Sequence, residues 1–226
     1  MSNGWGELVR RALDAELTPD RAARRHMGDA VRRLIERLMS RAIPADALNE
    51  AAVAVEQLSA RLAEYEGRRD LDGFGESAIA GTPTALFDHS PEVGQGNPLA
   101  PPLVLTIDGD TVTGRACFNA AYEGAPGCVH GGHVAAALDE VLGMANAMNG
   151  VPGMTGTLTV RYVRPTPLYT DLRFEGRVDR IDGRKIFTSG RVLDGEEVTA
   201  EADAVFITVD FERIAALYDK RKQPGD

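Results

Sequence analysis

Residues 124–143 read GAPGCVHGGHVAAALDEVLG, and this stretch decides how the rest of the chain is arranged. It predicts a helix from Gly132 to about Met148. Apolar side chains lie on almost every side of this helix: Val134, Ala135, Ala136, Ala137, Leu138, Val141, Leu142 and Met144. A helix that is apolar all round is typically buried. We therefore expect a sheet to wrap around it.

Six segments around this helix have the composition of strands. Two precede it and four follow it: residues 103–107, 111–118, 155–163, 171–181, 185–193 and 198–209. Asp-Gly pairs at 108–109, 182–183 and 194–195 are typical of tight hairpin turns. The predicted fold class is α+β, with an antiparallel sheet wrapped around a central helix.

The N-terminal part predicts two helices. Thr18 is a candidate N-cap followed by Pro19, and apolar residues at helical spacing extend to about Ser40. A second helix is expected over residues 45–66, with Val55, Leu58, Leu62 and Tyr65 on one stripe. We expect the two helices to pair as a helical hairpin.

A glycine- and proline-rich connection follows over residues 67–101, and it is either a wall or lid of a site or a plain linker. The predicted division is a helical extension with linker over residues 1–80 and a second domain over residues 81–226.

Composition excludes several classes of protein. The 226 residues carry a formal net charge of −9, which disfavours nonspecific binding to nucleic acid or to anionic membranes. Cys117 and Cys128 are too few for a disulfide framework, and no apolar run approaches the roughly 18 residues of a membrane span. We expect a cytoplasmic protein.

Three motifs resemble a known family. They are HGGHVAAALDEVLG at 130–143, MTGTLTVRYVRPTPL at 154–168 and NPLAPPL at 97–103. Over roughly residues 85–210 the chain resembles the hotdog-fold acyl-CoA thioesterases, in the PaaI-like and THEM4-like branch. The resemblance implies a hotdog fold, hydrolysis of an acyl-CoA to a carboxylic acid and CoA, and no cofactor beyond the CoA of the substrate.

The helix start and a later carboxylate form the candidate catalytic site. Unpaired N–H groups at the start of a helix suit a developing oxyanion, so Gly131 and Gly132 are candidate donors. His130 braces this turn or contacts the thioester. Asp139 is the candidate general base or nucleophile. The resemblance assigns Thr155 to holding the acid or the attacking water.

The spacing of these groups predicts an oligomer. Nine residues of helix separate His130 from Asp139, which is about 13.5 Å and about 2.5 turns, so the two side chains point to opposite faces. The simplest arrangement is a two-fold dimer in which Gly131 of one subunit meets Asp139 of the other. A dimer of such dimers is equally compatible with the spacing.

The phosphates of CoA need cations, and the basic residues near the candidate site are Arg161, Arg164, Arg184 and Lys185. Arg164 is the first choice because Pro165 ends its strand. Arg161 and Asn97, the latter in the NPLAPPL motif, are the other predicted CoA or substrate contacts.

Three other functions stay open. Cys128, His130, His133 and Asp139 are conceivable metal ligands, although their spacing does not match common zinc motifs, and we expect no metal. A non-enzymatic acyl-CoA sensor would use the arginine-rich N-terminal helices as an output module. The third hypothesis is a hotdog-fold hydratase.

Overall fold

The computed structural model describes residues 4–65, 87–101, 103–108, 111–150 and 153–208. Four helices of ten or more residues and one short 3-10 helix lie wholly within these described ranges. These are α1 (Gly4–Leu13), α2 (Pro19–Ser40), α3 (Ala45–Ala63), the 3-10 helix (Ala120–Tyr122) and the central helix α4 (Gly131–Met148). Among the described residues, no helix is long and apolar enough to cross a membrane.

Six antiparallel strands form one sheet in the order β1-β2-β4-β5-β6-β3. They are β1 (Val104–Asp108), β2 (Thr111–Ala116), β3 (Gly153–Tyr162), β4 (Leu172–Asp182), β5 (Lys185–Asp194) and β6 (Glu197–Thr208). Gly183 and Gly195 have positive φ values of 56° and 59°, as the predicted turns require. Residues 109, 110 and 209 lie outside the described part of the chain. The hotdog fold class is confirmed, and the strand ends fall within two residues of the prediction.

A row of small residues lets the central helix approach the sheet. Gly176 of β4 lies directly opposite Gly190 of β5, which in turn lies opposite Ala202 of β6. A Cβ atom added at Gly176 would lie 2.8 Å from Cγ1 of Val141 on α4. The helix therefore packs almost against the backbone of the sheet. Its buried residues include Leu138 and Leu142, both fully inaccessible to solvent.

Helix α1 has no counterpart in the sequence prediction. Val9 and Ala12 are only 1% and 6% exposed, and Val9 is part of the hydrophobic core around α4. The N-terminal segment therefore packs on the central helix instead of extending away from it.

Helix α2 begins where the sequence predicts, because the Thr18 hydroxyl accepts a hydrogen bond from the Arg21 N–H at 3.4 Å. Its arginines hold the segment 87–101. Arg21 and Arg25 both bind the buried carboxylate of Asp88, at 2.5 Å and 2.8 Å. Arg32 donates hydrogen bonds to two backbone carbonyls of the same segment. Segment 87–101 is thereby fixed to the body of the protein.

The two helices of the expected hairpin are present, but their apolar faces do not pack together within one chain. None of the residues of α3, all of which the structure describes, is buried. Val55 and Leu62 are 46% and 52% exposed. The link between the helices explains this, since Arg41 and Pro44 have extended backbones that lead α3 away from α2. The proposed domain division at residue 80 lies outside the described residues and stays a prediction.

Candidate active site

His130 caps the start of the central helix. Its Nδ1 accepts a hydrogen bond from the Gly132 N–H at 3.1 Å. Nδ1 is therefore an acceptor, and a neutral His130 carries its proton on Nε2. The Gly132 N–H was predicted to be a second oxyanion donor, but the cap engages that group. The Gly131 N–H is the donor that remains at this turn.

Tyr162 braces the same turn from the neighbouring strand β3. Its hydroxyl donates a hydrogen bond to the Gly131 carbonyl at 2.8 Å. A Cβ atom at position 131 would lie 3.2 Å from both Cζ and the hydroxyl oxygen of this ring, so only glycine fits without displacing Tyr162. Tyr162 was not predicted from the sequence, because an aromatic residue near the end of a strand is an ordinary strand residue.

A cavity of about 520 Å³ opens beside this turn. His130, Gly131, Tyr162 and Arg164 are among its lining residues. The Arg164 guanidinium forms an ion pair with Glu197 and is 43% exposed. Of the predicted cations, Arg164 is therefore the one that shares a cavity with the helix start.

The second half of the site lies further along the central helix. Thr155 on β3 donates a hydrogen bond to Oδ1 of Asp139 at 2.9 Å. Burial raises the pKa of Asp139 above its ordinary value, and the hydrogen bond from Thr155 partly offsets this by lowering it. Asp139 thus combines a desolvated carboxylate with a donor that favours its ionised form.

A β-bulge turns Thr155 toward the helix. Thr155 lies opposite Phe206 of β6, whereas Thr157 lies opposite the preceding residue Val205, so Gly156 is the extra residue. If residues 155–157 formed a regular strand with Gly156 paired in its turn, Thr155 would share the solvent face with Thr157, two residues away. Because Gly156 is bulged and unpaired, Thr155 faces the helix side together with Leu158, which packs against the core.

Glu92 brings a second carboxylate near Asp139. Burial raises the pKa of Glu92, and the charge of Asp139 raises it further. Its Oε2 is buried and has no hydrogen-bond partner among the described residues. Nearby, the Ser90 hydroxyl donates to Oε1 of Glu140 at 3.4 Å. The described part of the connection, residues 87–101, therefore lies against α4 beside Asp139, as expected of a site wall.

Two predicted substrate contacts lie elsewhere. The Asn97 amide group donates a hydrogen bond to the His89 carbonyl at 3.1 Å and accepts one from the Leu99 N–H at 3.0 Å. Both polar atoms of this amide therefore bond within its own loop. Arg161 is paired with Glu201 and is 70% exposed. Neither lines the cavity that contains Arg164.

The histidines of the motif do not assemble a metal centre in the described ranges. No group of three or more His, Cys, Asp or Glu side chains there is placed to hold a metal ion. His133 instead packs edge-on against the Tyr122 ring, with centroids 5.0 Å apart. Burial, followed by the proximity of His130, lowers its pKa.

The structure thus contains two half-sites in one chain. One is Gly131 with His130, Tyr162 and Arg164 at the helix start. The other is Asp139 with Thr155, eight residues of helix beyond Gly131, or about 12 Å along the axis. One protomer does not bring the acid to its own amide turn.

These features define a hotdog-fold protein with an acid on its central helix. The chain belongs to the thioesterase superfamily. The family model for the thioesterase superfamily matches residues 126–201. The solved structure of protein RHA08564, a thioesterase superfamily protein, is 34% identical and superposes with a TM-score of 0.72. That match covers 81% of this chain and 90% of the other.

Curated relatives match over a shorter region. Acyl-coenzyme A thioesterase THEM4 of Mus musculus is 36% identical over 93 residues, which is 40% of each chain. The Xenopus laevis protein of the same name is 41% identical over 88 residues, 38% of this chain and 39% of the relative. The aligned part thus spans about 40% of the length of these relatives. The resemblance to hotdog thioesterases seen in the sequence is confirmed.

Proposed function

We propose that this protein is an acyl-CoA thioesterase, which hydrolyses the thioester of an acyl-CoA to a free carboxylic acid and CoA. The observation that carries the proposal is the partly buried Asp139 carboxylate held by the Thr155 hydroxyl. The names of the curated THEM4 relatives support the same reaction.

The chemistry follows from the two half-sites. The thioester carbonyl oxygen accepts a hydrogen bond from the Gly131 N–H, at the positive end of the helix dipole. Asp139 takes a proton from water as the water oxygen bonds to the carbonyl carbon. When the tetrahedral intermediate collapses, the C–S bond breaks and the thiolate of CoA leaves. The proton held by Asp139 then neutralises this thiolate.

The same geometry also serves a second route. Asp139 can attack the carbonyl carbon directly and form a mixed anhydride, which water then hydrolyses. Both routes need an ionised Asp139 and the same oxyanion donor, so they make the same demands on the residues described above.

A dimer would complete the site. Within the described ranges, strand β3 is an edge of the sheet and pairs only with β6, so its other edge is available there to a further strand. Thr155 and Tyr162 mark the two half-sites on this strand. If two copies of β3 pair antiparallel about a two-fold axis near Leu158, Thr155 of one copy lies beside Tyr162 of the other. Asp139 then faces Gly131 of the partner subunit. Association of two such dimers would leave this arrangement unchanged.

CoA recognition is assigned to the cavity at the helix start. A guanidinium binds phosphate oxygens through paired N–H groups, and Arg164 lines this cavity. We propose that Arg164 exchanges its ion pair with Glu197 for a phosphate of CoA. A cytoplasmic location also stays a prediction.

The test is thiol release from a panel of short, medium, long and aromatic acyl-CoAs. Asp139→Asn should lose at least about two orders of magnitude in kcat, the scale of a positioned acid-base group, and still bind acyl-CoA. The neighbouring carboxylate supplies a matched control, and Glu140→Gln should stay within a few fold of wild type. Near wild-type turnover in Asp139→Asn would overturn the mechanism. Tight acyl-CoA binding without thiol release from any substrate would instead favour the sensor.

Mixed subunits test the shared site. Gly131→Val and Asp139→Asn chains should each be inactive, and mixing them should restore activity because each heterodimer contains one intact site. An inactive mixture of chains that demonstrably exchange subunits would place both residues in a single-chain site.

A further inference from the structure

Helix α3 presents a regular apolar stripe to solvent. Residues at alternating three- and four-residue spacing form it, in the pattern of helices that pack side by side. They are Leu48, Ala51, Val55, Leu58 and Leu62, followed by Tyr65 just beyond the helix. Leu48, Val55 and Leu62 are 38%, 46% and 52% exposed. A contiguous exposed apolar surface of this kind marks an interaction site.

Helix α2 carries a matching stripe. Met27, Val31, Leu34 and Leu38 follow the same spacing, and Met27 and Leu38 are exposed. This stripe is not the face that holds segment 87–101, because Arg21, Arg25 and Arg32 make those contacts from an adjacent side of the helix. In the described part of the chain, Met27 and Leu38 at the two ends of this stripe are exposed, and Val31 and Leu34 between them are half-buried.

The two helices have opposite charge. Helix α2 contains six arginines and three acidic residues, whereas α3 contains three acidic residues and one arginine. Complementary charge favours contact between α2 and α3 over contact between two copies of α3.

The link between them opposes contact within a chain. The backbone is extended at Arg41, with φ −121° and ψ 141°, and at Pro44, with φ −60° and ψ 149°. A short link in this conformation projects α3 away from α2. If two protomers exchange their α3 helices, the apolar stripes of α2 and α3 cover each other and the link keeps its extended conformation.

We propose that α3 of one protomer packs on the apolar stripe of α2 of a second copy of this chain, so that the helical hairpin is completed between chains. Leu34 and Leu58 lie near the middle of the two stripes. Their contact is independent of Asp139 and Gly131, so this interface and the thioesterase activity can fail separately.

Disulfide trapping on the full chain tests the contact. Cys117→Ser and Cys128→Ser first remove the native thiols. Chains carrying Leu34→Cys are then mixed with chains of different mass carrying Leu58→Cys, and the mixture is oxidised at low micromolar concentration. The expected product is a covalent heterodimer, visible on a non-reducing gel. Glu50→Cys, on another face of α3, is the matched control and should not cross-link to Leu34→Cys.

Several results would overturn the proposal. One is a covalent homodimer of the Leu58→Cys chain alone, which would mean that α3 packs on α3. Another is an intrachain disulfide in the Leu34→Cys, Leu58→Cys double variant, and a third is the absence of any cross-link. A second variant checks the apolar basis of the contact. Adding Val55→Asp to the Leu58→Cys chain should abolish the heterodimer while thiol release from acyl-CoA, measured in parallel, persists. Cross-linking that survives this change would also contradict the proposal.

Discussion

The Thr155 hydroxyl donates a 2.9 Å hydrogen bond to the carboxylate of Asp139, and this bond joins the edge strand β3 to the central helix. Two opposing influences meet there. Burial raises the pKa of Asp139, and the hydrogen bond lowers it. The pH at which the acid becomes ionised therefore depends on burial and, in the opposite direction, on one removable oxygen atom.

Replacement of that oxygen should move the pH profile. In Thr155→Ala the lowering influence is lost, so the pKa of Asp139 rises further. Activity requires ionised Asp139, and the acid limb of kcat/KM against pH should therefore shift to higher pH. Thr155→Ser keeps a hydroxyl and should keep the wild-type limb. An unshifted limb in Thr155→Ala would show that the bond does not tune the acid.

Deletion of Gly156 should preserve the bond between Thr155 and Asp139. Without the extra residue, Thr155 directly precedes Thr157, β3 pairs regularly with β6, and Thr155 still lies opposite Phe206 on the helix face. We expect kcat to stay well above that of Thr155→Ala, with the circular dichroism spectrum of a folded protein. A fall in kcat to the level of Thr155→Ala would mean that the bulge itself is needed to place the Thr155 hydroxyl.

Arg164→Gln should weaken recognition of CoA phosphates and leave the chemistry intact. The expected rise in KM for acyl-CoA is about tenfold, the equivalent of about 1.4 kcal/mol for a lost charge-assisted hydrogen bond. An acyl thioester of N-acetylcysteamine has no phosphates, so its KM should not change. Arg161→Gln is the matched control, because Arg161 lies outside the cavity. An equal rise in KM for both thioesters would remove Arg164 from phosphate recognition.

Two glycine-to-alanine substitutions should change the free energy of unfolding in opposite directions. In Gly176→Ala the new methyl group lies 2.8 Å from the stiff side chain of Val141, so the free energy of unfolding should fall by about 1–3 kcal/mol. In Gly143→Ala the nearest atom of Phe206 is 3.7 Å away, so the methyl group fits. The higher helix propensity of alanine should then raise the free energy of unfolding by up to about 1 kcal/mol. Urea unfolding measures both. Equal changes in the free energy of unfolding for the two variants would mean that the helix does not press on the sheet at Gly176.

The sequence predicted the parts of this protein that local patterns encode. An all-round apolar helix, period-two strands and Asp-Gly turns report burial and turn geometry directly. The central helix and all six strands were therefore expected within two residues. The pairing of Asp139 with Thr155 came from the family resemblance, since no local pattern reveals which strand residue faces a given helix residue.

Features that depend on packing between distant segments were not predictable. The bulge at Gly156 depends on pairing with β6, and the proximity of Glu92 to Asp139 depends on the path of segment 87–101. The amide of Asn97 hydrogen-bonds within its own loop, because an asparagine followed by proline serves turns as readily as ligands, and its contact with substrate stays a prediction. The apolar stripe of α3 predicted a packed helix and could not identify the chain that covers it.

The extra residue in β3 also affects how related sequences should be aligned. Gly156 interrupts the alternation of the strand. Odd-numbered residues such as Thr155 face the helix before it, and even-numbered residues such as Leu158 face the helix after it. In a relative whose strand lacks the extra residue, the helix-facing residue directly precedes the counterpart of Thr157, so an alignment without a gap at Gly156 would put the wrong residue opposite Asp139. Position 155 should therefore be located by counting back from the strand residues after the bulge, with a gap at Gly156 where the related strand is regular. Matching the hydroxyl side chains of Thr155, Thr157 and Thr159 is not sufficient, because it is Thr155 that contacts the acid.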